Sequence, residues 1–292
     1  MELRTLRYLV AIADAGTMTA AAQLLHVSQP ALSRQIMDLE EELHTTIFDR
    51  SGRGISLTSS GTYLVNRARQ ILALTDGTVA ALDQQTPLSG PLSIGLGESP
   101  LNQPVLTAAA QLVQQYPAVH LRIYSGNADE IFERLDHGLL DFGVVIDPAD
   151  KNKYAWTSIP GRNIWGLAML STAPLAKKKG ITPADMARLP IMVSDRAAVQ
   201  QMVENWLGAP LTENQVVTRY NLIYNAALLT RAGVGYAVTL SHLLDPNDQT
   251  LTFIPFTPKL TTAMTLIWPK NSIQSPVARA FLKIFDEKKD LE

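Results

Sequence analysis

Between residues 28 and 43 the apolar positions Leu32, Ile36, Leu39 and Leu43 repeat on one side of a 100° wheel. Pro30, Ser33, Arg34 and Met37 fall on the other side, which predicts an amphipathic helix with an inward leucine-rich stripe. Ser28 is placed to cap it, because its hydroxyl can accept from free N–H groups of the first turn. Gln29 and Pro30 then open the helix, where a proline forfeits no intrahelical donor. Upstream, Leu6, Leu9, Val10 and Ala13 mark a helix over 3–15 that stops at Gly16. Thr17 can cap a short alanine-rich helix through Ala20, Ala21 and Ala22, and His26 and Val27 leave room only for a tight turn. Downstream, Ser51-Gly52-Arg53-Gly54 is a glycine-bracketed turn that predicts a two-stranded wing. Leu57, Gly61, Leu64, Ala68, Ile71, Thr75, Thr78 and Leu82 then step by four and three, as a coiled-coil seam does. One helix over 58–84 would span about 40 Å at 1.5 Å rise per residue. Packing of that helix on its own domain is the alternative.

The period changes after the turn-rich stretch 87–91. Apolar runs at 92–96, 120–124 and 142–146 alternate with helical patterns at 104–115 and 128–137, and Gly138 stops the second helix. A βαβα order of this kind favours a parallel sheet. The cadence recurs with strands at 191–193, 216–219 and up to Val238, and with helices at 198–207 and 223–231. ERLDHGLLDFGVVI and ALLTRAGVGYAVTL share a helix, a glycine stop and an apolar strand. Two such lobes imply a cleft between them. The chain is expected to return to the first lobe near Thr265 and to close it with a helix over 276–285, capped by Ser275.

A helix of the 28–43 kind, following a short helix and a turn, suits a DNA groove. Arginine can bridge guanine O6 and N7, glutamine can bridge adenine N6 and N7, and small or apolar groups can touch the thymine methyl. Ser28, Gln29, Pro30, Ser33, Arg34 and Met37 are the candidate contacts. Arg53 at the wing tip and Arg50 at its base are placed for a phosphate or a narrow minor groove. The run AAxxLHVSQPALSRQIxxLEEEL, followed by FDRSGRGISLTSSG, resembles the winged helix-turn-helix of LysR-type transcriptional regulators. The resemblance is close over about 1–85 and holds in pattern and length beyond. It implies that Gln29, Pro30, Ser33 and Arg34 face the groove and that Arg53 is the wing contact. It also implies a homodimer, commonly paired into a tetramer, and an effector domain similar to periplasmic solute-binding proteins. The chain departs from the family at Met37 and Asp38, where basic residues are common. It departs again at His44, where a glycine often ends the helix, so a strained cap is expected.

The expected fold is an N-terminal all-α winged helix-turn-helix with a long linker helix, joined to a C-terminal α/β two-lobed effector domain. The expected domains are 1–58 for DNA binding, 59–88 for the dimerisation helix and hinge, and 89–292 for the effector. Lobe I takes 89–161 and 266–292, and lobe II takes 162–265.

Composition narrows the picture. The chain has 292 residues, 46% hydrophobic and 18% charged, as a soluble globular protein has, and that length allows two or three domains. The absence of cysteine excludes disulfides, thiolate metal sites and a cysteine nucleophile. The first residues lack a secretion signal's apolar run, and no stretch approaches the roughly 18 apolar residues of a membrane span, so the cytoplasm is the expected location and no membrane partner is expected. Charge complicates the DNA reading: residues 1–88 hold seven arginines, no lysine and nine acids, leaving −2. From 47 to 69, however, four arginines face one acid, while Glu40, Glu41 and Glu42 lie beyond the reading face. Weak nonspecific affinity, dependence on dimerisation and a modest salt slope follow. Two reading heads on a two-fold axis predict an inverted-repeat operator in double-stranded DNA, with RNA polymerase as a further candidate partner.

Ligands of open α/β sheets bind beyond the carboxyl ends of strands, next to helix N-termini. That selects Ser99, Pro100, Leu101 and Asn102 after the first strand, and Ser125 and Asn127 after the second. It also selects Ile146 at the end of the third, and Ser194, Asp195 and Asn221 in the second lobe. Ser99 is favoured by the resemblance, since the family often places a serine or threonine contact there. Plain helix capping is the alternative for each polar residue. Asp195 disfavours an anion on its side, though Arg196 adjoins it. The expected effector is a small organic acid or an amino-acid-like molecule.

Enzyme readings fail on the motifs. Gly95-Leu96-Gly97-Glu98-Ser99-Pro100 imitates a dinucleotide fingerprint, but Pro100 stands where the third glycine belongs. The sequence has no GxSxG, GxxxxGK[ST] or HExxH, and its five histidines are scattered. No enzyme activity, cofactor or metal is expected. Residues 91–292 alone could be a solute-binding protein, but that would leave 1–85 unexplained.

Overall fold

The computed structural model describes residues 1–49, 55–82, 88–270 and 274–289. The chain divides into two compact units, Met1–Thr86 and Pro87–Glu292.

The first unit contains α1 (Leu3–Ala15), α2 (Met18–Leu24), α3 (Gln29–Glu42), the strands β1 (Phe48–Asp49) and β2 (Ser56–Leu57), and α4 (Ser59–Leu82). Gly16 ends α1 in the left-handed region at φ 69°, and Thr17 then caps α2 by accepting from the Ala20 N–H at 3.2 Å. α2 and α3 close with the same device. After α2, the His26 N–H reaches the Gln23 carbonyl and the Val27 N–H reaches Ala22. After α3, His44 reaches Glu41 and Thr45 reaches Glu40. These paired bonds need a left-handed residue between them, and histidine fills that place twice, at φ 53° and 49°. The strained cap expected at His44 is therefore present, and a second one stands at His26.

Leu6, Leu9, Ile12, Leu32, Ile36, Leu39, Ile47 and Phe48 form the core of this unit. Leu43 does not join it and is 38% exposed, contrary to the expected inward stripe. As the cap residue of α3 it sits where the chain turns away from the core at His44. The seam expected along α4 also divides. Gly61 and Ala68 are buried in the unit's own core with Val65 and Leu72, whereas Ile71 faces out alongside Tyr63 and Val79. A Cβ at Gly61 would lie 2.1 Å from the Ile47 carbonyl oxygen, so that glycine serves close packing of α4 on the wing. Thr58 makes the join: its Oγ1 donates to the Thr46 carbonyl at 2.7 Å and accepts from the Gly61 N–H at 3.0 Å.

The second unit contains β3 (Gly90–Leu96), α5 (Gln103–Gln115), β4 (Val119–Ser125), α6 (Ala128–Asp136), β5 (Phe142–Ile146), β6 (Tyr154–Leu170) and α7 (Pro183–Met186). It continues with β7 (Ile191–Ser194), α8 (Ala197–Leu207), β8 (Val216–Tyr220), α9 (Ile223–Arg231), β9 (Tyr236–Leu240), β10 (Leu251–Pro255), β11 (Thr261–Pro269) and α10 (Pro276–Lys289). Among the described residues nine strands pair in the order β4-β3-β5-β11-β6-β9-β7-β8, with β10 also on β6. The outer strands pair parallel, as the βαβα cadence predicts. The centre differs, because β6 and β11 pair antiparallel with each other and with their neighbours, so the sheet is mixed. β6 carries the chain from one lobe to the other: its first half pairs with β11, its second with β9 and β10. Each lobe has its own core, one around Leu92, Val105, Phe142 and Phe281, the other around Leu167, Ile191, Val203 and Phe256. Each core fixes the strand ends of its own lobe, and the cleft opens between those ends. Ser275 caps α10 by accepting from the Ala278 N–H at 3.1 Å.

Candidate functional site

The first candidate surface is the solvent side of α3. Ser28 Oγ accepts from the Ala31 N–H at 3.4 Å, and Pro30 stands in the first turn. Leu32 and Ile36 are fully buried, which fixes the roll of the helix and turns Gln29, Pro30, Arg34 and Met37 outward. Ser28 is exposed as well, and Ser33 is half-buried at the edge of the face. Arg34 has no hydrogen-bond or ion-pair partner among the described residues. Arg4 on α1 is likewise exposed without a partner among the described residues, whereas three other arginines of the unit are committed. Arg7 pairs with Asp76 at 2.6 Å, Arg69 pairs with Asp14, and Arg67 lies over the Tyr63 ring at 5.2 Å. The positive excess counted between 47 and 69 is thus reduced locally, because Asp14 from α1 neutralises Arg69. Arg50 and Arg53 lie outside the described residues.

Glu40 differs from the acids beside it. Its Oε1 accepts from the Ile47 N–H at 2.7 Å and the Phe48 N–H at 3.1 Å, tying the wing's first strand to the end of α3. The sequence places it with Glu41 and Glu42, beyond the reading face. A local sequence window holds no sign that its partners lie seven and eight residues on, beyond the cap.

The second candidate site is a cleft of about 90 Å³ between the lobes of the C-terminal unit. Of the residues selected from sequence, Asn127, Ile146, Ser194 and Asn221 line it, at the ends of four different elements. Ser99, Pro100, Leu101, Asn102, Ser125 and Asp195 lie off this lining. Ser99 is buried; its Oγ donates to Asn163 Oδ1 at 2.6 Å and accepts from the Leu101 N–H at 3.1 Å. Asn102 Nδ2 donates to the Gly97 carbonyl at 2.7 Å. Among the described residues Asn102 Oδ1 and Asn163 Nδ2 are buried without a partner, so polar capacity remains beside Ser99.

Several lining residues were not selected from sequence. Glu98 and Asp147 contribute carboxylates, the second paired with Lys151 at 2.8 Å. Trp165, on the crossover strand β6, is buried and donates from Nε1 to Thr262 Oγ1 at 3.1 Å. The Tyr220 hydroxyl donates to the Val238 carbonyl, and burial pushes its phenol well above the ordinary range, so it stays protonated. The first turns of α6, α8 and α9 border the space; Asn127 caps α6, while α8 and α9 have no side-chain cap. The lining is thus mostly apolar with a few convergent polar groups, which suits a small molecule. Arg196 also lines it, 7% exposed and ion-paired with Asp129. Desolvation, then the facing carboxylates of Glu130 and Asp129, push the Asp195 carboxyl above its usual range.

Among the described residues no helix is long and apolar enough to cross a membrane. Residues 85–290 match the LysR substrate binding domain family, and residues 3–62 match the bacterial regulatory helix-turn-helix proteins of the lysR family. The chain is 29% identical over 292 residues to the uncharacterized HTH-type transcriptional regulator YnfL of Escherichia coli K12, covering 96% of each chain. It is also 29% identical to the HTH-type transcriptional regulator BudR of Raoultella terrigena, covering 98% of this chain and 100% of that one. Its fold is that of CbnR, a LysR family transcriptional regulator, at TM-score 0.68 and 22% identity, covering 98% of this chain and 99% of that one. Full-length CbnR complexed with its target DNA aligns over the same shares at TM-score 0.64 and 21% identity. With matches to both families covering nearly its whole length, the chain belongs to the LysR family: it is a DNA-binding transcriptional regulator with an effector-binding domain, and not an enzyme.

Proposed function

We propose that the protein binds an inverted-repeat operator as a cytoplasmic homodimer, further paired into a tetramer, and changes promoter binding or bending when a small molecule enters the interlobe cleft. Residues 1–58 are assigned to DNA binding, 59–88 to dimerisation and 89–292 to the effector. Ser28, Gln29, Pro30, Ser33, Arg34 and Met37 read the major groove, with Arg50 and Arg53 of the wing on the backbone or minor groove. The carrying observation is Arg34, an exposed guanidinium without a partner among the described residues on a helix whose opposite face is buried. A forked donor held at such a face can take a guanine edge bidentately. Dimerisation draws support from Tyr63, Ile71 and Val79, large apolar side chains exposed along α4. The effector is a small organic acid or an amino-acid-like molecule, for which the buried guanidinium and the uncapped helix starts at the cleft provide complementary charge. Its contacts come first from Asn127, Ile146, Ser194 and Asn221, which line the cleft, with Ser99, Pro100, Leu101, Asn102, Ser125 and Asp195, off the lining, as the further sequence-derived candidates. Effector binding shifts a population of lobe arrangements, and the reading heads follow. RNA polymerase is the partner through which a bent promoter would be read.

Footprinting on DNA upstream of the protein's own gene tests the first half. The expected result is protection of an inverted repeat, lost in Arg34→Ala and weakened in Arg53→Ala with a shallower salt slope. Equal protection by Arg34→Ala would remove the assigned role. Thermal melts with a metabolite panel test the second half, since a ligand at a hundred times its Kd stabilises by about 2.7 kcal/mol. Stabilisation by cations or large neutral molecules alone would contradict the effector class.

A further inference from the structure

Arg196 stands where the two lobes meet. It directly precedes α8 in lobe II, yet its bonds go to lobe I. Its Nε lies 3.1 Å from Asp129 Oδ1 in the first turn of α6, and its Nη2 donates to the Pro148 carbonyl at 3.0 Å. One side chain therefore ties the lobes across the cleft.

The pair is asymmetric. The Arg196 side chain is 7% exposed and that of Asp129 is 66% exposed. A desolvated guanidinium needs an anionic partner, because an unpaired buried charge is costly. A hydrated carboxylate loses little when its ion pair opens, because water replaces the partner. Exchanging Asp129 for another carboxylate thus keeps the arginine neutralised and releases Asp129 to solvent. Arg196 is also, among the described residues, the one cation on the cleft lining. On the same seam Asp195 faces Glu130 and Asp129, and these like charges oppose the tie that Arg196 makes.

We infer that Arg196 is the anion-recognition residue of the cleft, that Asp129 is its internal competitor, and that a small carboxylate ligand takes the place of Asp129. The inference rests on the proposed sensor role for the identity of the cleft as the ligand site, and it adds how that site is coupled to lobe position. Exchange removes one of the two bonds holding Arg196 to lobe I, so ligand entry and lobe geometry are read by the same side chain.

The chain has no cysteine, so cysteines introduced at the exposed positions Glu133 in lobe I and Gln201 in lobe II can carry nitroxide labels in the full-length protein. Electron–electron distances, in samples diluted with unlabelled protein, then report lobe separation. Asp129→Ala is expected to broaden and lengthen the distribution. Saturating sodium acetate is expected to lengthen the wild-type distribution in the same way and to leave that of Asp129→Ala unchanged, whereas sodium chloride at equal ionic strength moves neither. Arg196→Gln is expected to broaden the distribution and to abolish the response to acetate, and Arg196→Lys, which keeps the charge, to retain part of the closure. Acetate should bind the Asp129→Ala protein at least tenfold more tightly than the wild type. Unchanged distances in both Asp129→Ala and Arg196→Gln would overturn the tie. A wild-type distribution unmoved by saturating acetate, or equal acetate affinity of wild type and Asp129→Ala, would overturn the exchange. Failure of the same labelled protein to bind any duplex would sink the regulatory reading and leave the distance result standing.

Discussion

Arg34 and Arg196 are the same residue type near the starts of two helices, and they live in opposite surroundings. Arg34 is exposed and has no partner among the described residues, while Arg196 is desolvated, ion-paired and bonded to a carbonyl of the other lobe. The first is a group whose natural partner comes from outside. The second already holds an internal substitute for a partner. In the reading unit the recognising side chain is separable from stability, because α3 is held by its buried Leu32, Ile36 and Leu39, its Ser28 cap and the Glu40 bonds, none of which involves Arg34. In the cleft, recognition and lobe geometry share atoms, so the two cannot be tuned independently.

The contrast can be broken or sharpened by substitution. The largest effect is expected at Gly61, behind the reading head, where a Cβ would meet the Ile47 carbonyl oxygen at 2.1 Å. Gly61→Ala should destabilise the N-terminal unit by about 3 kcal/mol, read as a lowered denaturant midpoint, since overpacking against backbone cannot be relieved by a rotamer change. A tolerated alanine would show that α4 is not packed on the wing as described. Next come the two arginines themselves. Arg34→Ala should cost about 1–3 kcal/mol in operator affinity while leaving Tm within the range of ordinary surface substitutions. Arg196→Gln should do the reverse, lowering stability by about 1–2 kcal/mol through the lost bonds to Asp129 and Pro148, with intrinsic duplex affinity kept. Equal Tm losses for both would dissolve the contrast.

A smaller gain is expected from His44→Gly. The left-handed cap costs an L residue about 1 kcal/mol, so glycine should raise the unfolding free energy by up to that amount, read as a higher unfolding midpoint. The smallest effect concerns Asp195, whose folded-state carboxyl titrates above its unfolded value. Folding is then favoured below the unfolded value and penalised as pH rises through the folded one. Asp195→Asn should therefore give a small stabilisation at neutral pH that fades as the medium is acidified toward pH 4. A gain of the same size at both ends would exclude the facing carboxylates as its source.

Much of the reading unit was legible because its determinants are local. The Ser28 cap, the Leu32 to Leu39 stripe and the Gly16 stop each act within one or two turns, and they were found where the periodicity put them. Leu43 was misread because the same periodicity continues one step past the point where His44 turns the chain. Gly61 looked like a flaw in a seam; its reason is a carbonyl fourteen residues earlier in the wing. In the C-terminal unit the strands of the βαβα cadence were legible, whereas β6 was not. Pro160 and Gly161 interrupt it midway, and such residues argue against a long strand unless the register breaks there. The cleft was legible only in part for the same reason of distance. Ser99 turns to Asn163, 64 positions away, and Arg196 reaches Asp129 across 67, pairings that no local window contains.

The most direct test of the central claim is a titration of the full-length protein against fluorescent duplexes, one carrying the protected inverted repeat and others scrambled, at several salt concentrations. The account predicts a preference for the repeat of roughly a thousandfold or more, largely abolished by Arg34→Ala. Equal affinity for all duplexes, or a preference that survives Arg34→Ala unchanged, would contradict it.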